Sequence, residues 1–144
     1  MNIQYHTVDD IAATLKKVGE WTCQQQDIVA VALVGSYARN QARDDSDIDL
    51  VVLTTQPDLY LEHHEWLDYF GDVHSVRKES YGMVTSLHVH YVNGYEVEFG
   101  ITSPAWANVP TDHDTCSVVA KGLLPIYDPE DLLGRLIAHV ASVG

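Results

Sequence analysis

The chain has 144 residues, 46% of them apolar and 20% charged, a globular composition with enough material for one hydrophobic core. The formal net charge of −13 argues against holding duplex nucleic acid through its phosphates, which takes clustered Lys and Arg. It suits a solvated acidic surface, a carboxylate-rich metal site or a basic protein partner.

The N-terminal MNIQYHTVDD has neither a basic nor an apolar region of the kind a secretory leader needs, and no apolar run approaches the roughly 20 residues that span a bilayer. Cys23 and Cys116 lack metal-ligand spacing and read as reduced core or semi-buried thiols. The expectation is one cytoplasmic domain over 1–144, with no separate C-terminal acceptor-binding domain.

Residues 8–25 carry apolar side chains at helical spacing: Val8, Ile11, Leu15, Val18 and Trp21 or Thr22. Thr7 and Asp10 resemble a capping box at its start. Ile28 to Val34 is an unbroken apolar run, the pattern of a strand buried on both faces. Gly35-Ser36 ends it, and SYARNQAR predicts a short helix. DIDLVVLT (47–54) predicts a second strand. Pro57 opens a helix over 58–69 that Gly71 closes.

Extended segments follow: DVHSVRKES, MVTSLHVHYV (83–92) and YEVEFGI (95–101), the last two flanking the turn dipeptide Asn93-Gly94. SPAWANV and DHDTCSVVAKG predict short helices or loops, and LLPIYD a short strand. Asp128-Pro129-Glu130 starts a last helix reaching about Val140. The order predicts an α/β or α+β domain with a mixed sheet.

Asp47 and Asp49 alternate with Ile48 on a strand. Their side chains therefore share a face, with Cα atoms roughly 6.5 Å apart. Two such carboxylates ionise together only with a positive charge between them. Mg2+ is the simple candidate: it takes oxygen ligands and is commonly completed by substrate phosphates. Gly35-Ser36 lies between a strand and a helix start, where free N–H groups and a glycine's open approach suit phosphate.

Gly35-Ser36, ten intervening residues and Asp47-x-Asp49 resemble the signature of the DNA polymerase β-like nucleotidyltransferases. That superfamily includes aminoglycoside nucleotidyltransferases and minimal nucleotidyltransferases paired with HEPN proteins. The resemblance implies a mixed sheet flanked by helices, and NMP transfer from an NTP with two Mg2+ ions and three carboxylates. It assigns Gly35, Ser36, Tyr37, Arg39 and Arg43 to the nucleotide. Asp47, Asp49 and a third acid go to metal and catalysis. Glu98 is the preferred third acid and Glu96, nearer the turn, the fallback. Arg43 could equally balance Asp44 and Asp45.

The implied partners are an NTP and a hydroxyl-bearing acceptor, either a small molecule or a protein such as a HEPN-like one. A second copy of the chain could complete the acceptor pocket. AMP is the expected NMP. The alternative is an antitoxin-like module that holds the nucleotide with little or no turnover. A two-residue turn at Asn93-Gly94 would put His88 and His90 on the face opposite Glu98, so both read as structural or surface residues, a reading that a β-bulge would reverse.

Overall fold

The computed structural model describes residues 8–38, 47–109 and 111–143. Thr7, Arg39, Arg43, Asp44 and Asp45, all weighed above, lie outside them.

Six strands form one sheet in the order β3-β4-β5-β2-β1-β6. They are β1 (Ile28–Val34), β2 (Ile48–Thr54), β3 (Val73–Tyr81), β4 (Val84–Tyr91), β5 (Glu96–Thr102) and β6 (Leu123–Tyr127). β2 and β5 pair in parallel and every other neighbouring pair is antiparallel, so the sheet is mixed, as expected. β1 and β2 are buried almost throughout, which is why β1 reads as a continuous apolar run, while half-buried Asp49 interrupts β2. β3 lies at an edge and carries Arg77, Lys78 and Glu79, charges that discourage pairing with another chain.

On one face pack α1 (Val8–Cys23), α3 (Pro57–Glu62) and a 3-10 turn (Glu65–Phe70). Val18, Trp21, Tyr60 and Leu67 meet Ile48, Leu50, Leu87, Val89, Val97 and Phe99 there. The expected helix over 58–69 is broken. His63 is extended, and the chain restarts as the 3-10 turn. The break lets Trp66 turn inward to stack on Trp21 at 5.1 Å, while its Nε1–H donates to the Tyr60 carbonyl.

On the other face, α4 (His113–Lys121) and α5 (Leu132–Val143) pack on β1 and β6. Val119, Leu133, Leu136 and Val140 meet Ala30, Ala32, Val51, Leu53 and Trp106. Asp112 caps α4 by accepting from Thr115 N at 2.7 Å. Asp128 accepts from Leu133 N and Gly134 N, holding the start of α5 a turn later than the Asp-Pro-Glu pattern suggested.

Cys23 is exposed rather than semi-buried, because α1 turns its Val18–Trp21–Thr22 side inward; Cys116 is half-buried. No helix among the described residues is long and apolar enough to cross a membrane.

Candidate active site

β1 runs to Val34, and its register sets Val34 beside Asp49 on β2. The chain then turns through Gly35 at φ +75 into the short helix α2 (Gly35–Ala38). A Cβ on Gly35 would overlap the Asp49 carboxylate. Glycine is therefore required twice, for the left-handed backbone and for the close approach. The two halves of the Gly-Ser and Asp-x-Asp pattern thus meet at this contact. The Ser36 backbone lies in α2, and Tyr37, half-buried, packs against the larger core.

Asp47 sits just before β2 and Asp49 within it, both half-buried. The parallel register sets Asp49 beside Glu98 and Ile48 beside Val97. Neighbouring strands lie about 4.8 Å apart, so the Asp49 and Glu98 carboxylates can reach one ion. One step earlier, Asp47 and Glu96 interact directly. Burial, then the hydrogen bond and negative charge of Glu96, push the Asp47 carboxyl up to about 6, against the pull of His88 and His90. Four carboxylates therefore share this face, and Glu96 joins Glu98 there rather than replacing it.

The histidines correct the sequence reading. Tyr91 N donates to the Tyr95 carbonyl, so the hairpin loop is Val92-Asn93-Gly94, three residues and not two. Gly94 takes φ +96, the left-handed last position of a three-residue loop, and Asn93 accepts from Tyr95 N. The extra residue slips the register by one. His88 pairs with Glu98, and His90 with Glu96. Both histidines consequently join the acidic face.

A signal for this lay in the alternation. Leu87, Val89 and Tyr91 on β4 and Val97, Phe99 and Ile101 on β5 must share the core face, which leaves Ser86, His88 and His90 with Glu96 and Glu98. A two-residue turn would have set Val89 beside Glu98.

His88 Nε2 is 3.2 Å from Asp47 Oδ2 and 3.8 Å from Glu96 Oε2, while His90 Nδ1 is 3.1 Å from Glu96 Oε1. A cleft of about 320 Å³ opens beside Asp49 and Glu98. Tyr81, Met83, Ser86 and Trp106 line it, and Asp112 and Asp114 at the start of α4 close one side. Sequence reasoning assigned none of these six, because strand pairing and the placement of α4 bring them together.

A profile of the nucleotidyltransferase domain family matches residues 15–99, which hold β1, α2, β2 and the strands up to Glu98. The chain belongs to this family. Two proteins of Methanocaldococcus jannaschii, each described as a "putative protein adenylyltransferase", are similar over 71 residues at 31% and 28% identity. The match covers 49% of this chain and 72% and 83% of theirs. Among solved structures, an aminoglycoside 6-adenyltransferase from Bacillus subtilis shares the fold with a TM-score of 0.53 at 15% identity. The likeness covers 71% of this chain but only 37% of that larger enzyme. The chain is thus a nucleotidyltransferase with the expected mixed sheet flanked by helices.

Proposed function

We propose that the protein transfers an NMP, AMP in the first instance, from an NTP to a hydroxyl group, with a protein as the favoured acceptor. The choice of AMP and of a protein acceptor follows the description of the two archaeal relatives. The observation that carries the reading is the junction of Gly35, Asp49 and Glu98: a turn pressed against one carboxylate, with a second carboxylate in register beside it.

The donor set fits Mg2+. It is rich in carboxylate oxygens, and burial together with neighbouring Glu96 already raises the Asp47 carboxyl. Asp47, Asp49 and Glu98 would hold the metal, with Glu96 in reserve; bound there, Mg2+ supplies charge neutralisation for the triphosphate and polarises the α-phosphorus.

The chain's own groups then divide the work. The Gly35, Ser36 and Tyr37 amides, with Arg39 and Arg43, hold the β and γ phosphates. Glu98, which lines the cleft, orients the acceptor hydroxyl and takes up its proton. The acceptor oxygen forms a bond to the α-phosphorus as the bond to the bridging oxygen breaks, and pyrophosphate leaves. The apolar cleft walls Tyr81, Met83 and Trp106 seat the acceptor.

The test is to incubate the protein with α-labelled ATP, Mg2+ and candidate acceptors, a HEPN-like partner first among them, beside Asp47→Ala. Label should pass to an acceptor with the wild type only. Equal transfer by the variant eliminates the site assignment.

A further inference from the structure

His88 is not explained by the oxygen-ligand reading. Its Nε2 is buried and makes no hydrogen bond, although it points among carboxylates. Arg77 contacts His88 Nδ1 at 3.0 Å, and a guanidinium can only donate, so Nδ1 accepts in this arrangement. An imidazole nitrogen facing two carboxylates becomes a metal ligand once the ring proton moves to the other nitrogen.

The neighbours complete a set. Donor atoms of His88, His90 and Glu96 all lie within 4.8 Å of one another, and all three residues are half-buried. Three contacts are closer still: 3.2 Å from His88 Nε2 to Asp47 Oδ2, 3.8 Å to Glu96 Oε2, and 3.1 Å from His90 Nδ1 to Glu96 Oε1. Ligands about 2.0–2.1 Å from a tetrahedral Zn2+ stand about 3.4 Å apart. Those three pairs are therefore near that spacing before any ion arrives.

We propose that His88, His90, Glu96 and Asp47 form a second cation site, selective for a borderline transition metal of the Zn2+ type. Imidazole nitrogens suit zinc, copper or nickel, whereas Mg2+ prefers an all-oxygen shell. The β4–β5 register builds the site, since His90 sits beside Glu96 and His88 beside Glu98. Asp47 belongs to both donor sets, so a transition-metal ion here competes with Mg2+ for that carboxylate. This consequence rests on the proposed role of Asp47, whereas the site itself does not.

Arg77 acts as a guard. For His88 Nε2 to ligate, the ring proton must sit on Nδ1, which requires Arg77 to withdraw. Its side chain is 64% exposed and pairs with exposed Glu79, so it can swing aside into water. A glutamine at this position could instead accept from Nδ1–H and favour the ligating tautomer.

The experiment is calorimetric titration of the tag-free protein with Zn2+ at neutral pH in millimolar Mg2+, with folding followed by circular dichroism. One Zn2+ should bind per chain. His88→Ala and His90→Ala should each weaken binding by about tenfold or more, Asp49→Asn should leave it intact, and Arg77→Gln should tighten it. Absence of stoichiometric binding, or equal binding by the folded His90→Ala protein, would overturn the site. Unchanged or weaker binding by Arg77→Gln would overturn Nε2 as the ligand atom. NMP transfer is read separately, so loss of the zinc site would leave the nucleotidyltransferase reading standing.

Discussion

Gly35→Ala perturbs the point where the turn meets the Asp-x-Asp strand. Alanine at φ +75 costs about 1–2 kcal/mol of backbone strain. Its Cβ would also overlap Asp49 Oδ2, and that carboxylate must rotate away to make room. The strain alone lowers Tm by roughly 3–8 °C in a domain of this size. If Asp49 binds the metal as proposed, displacing its carboxylate adds a loss of about 10–100-fold in Mg2+-dependent ATP affinity. Gly94→Ala separates the two effects: its φ of +96 imposes similar strain in an exposed turn remote from Asp49. Thermal unfolding and calorimetric titration with Mg2+-ATP read both quantities. The reasoning predicts similar Tm losses for the two variants and an affinity loss for Gly35→Ala alone. Wild-type affinity in folded Gly35→Ala would refute the contact as the device that positions Asp49.

Asp49→Asn and Glu98→Gln keep shape and remove charge from a crowded acidic face. Each should abolish Mg2+-dependent ATP binding while Tm holds or rises slightly, as measured by calorimetry and thermal unfolding. The Asp47 carboxyl titrates near 6 in the fold against an ordinary 3.8, so the native state binds more protons between those values. Its contribution to stability should therefore fall as pH rises from about 4 to about 6 and stay flat above. After discounting for its partial exposure this is about 1–2 kcal/mol, checked by denaturant unfolding across pH without divalent ions. Mg2+ should stabilise the protein more above that range than below it, because the proton and the cation compete for Asp47. The hairpin register predicts opposite outcomes for adjacent residues. Leu87→Ala should cost about 2–5 kcal/mol in urea unfolding, whereas His88→Ala should cost under about 1 kcal/mol.

The parts of the fold with strong local signals were legible from residues alone. Ile28–Val34 is a strand because its run is apolar without interruption, and it ends at Gly35 because that position needs a left-handed backbone. The Asp47–Asp49 alternation likewise declared its shared face. The features that were not legible depend on tertiary choice. Asn93-Gly94 signals a turn without fixing its length, and one added residue moves His88 and His90 from one face to the other. The core alternation of Leu87, Val89, Val97 and Phe99 outweighs the local preference for a two-residue loop, which would set Val89 beside Glu98 and break the shared core face. The helix over 58–69 breaks for a comparable reason: stacking Trp66 on Trp21 is worth more than continuing the helix through His63 and His64. The cleft wall at Asp112 and Asp114 depends on where α4 docks, which no local pattern encodes.

The central claim is that Asp47, Asp49 and Glu98 support transfer of the α-phosphoryl nucleotide, not of the terminal phosphate. ATP labelled at the α position and, separately, at the γ position tests it with the same acceptor and Mg2+. The α label should pass to the acceptor and the γ label to released pyrophosphate, both lost in Asp49→Asn. Label from the γ position on the acceptor, or undiminished α transfer by Asp49→Asn, would contradict it.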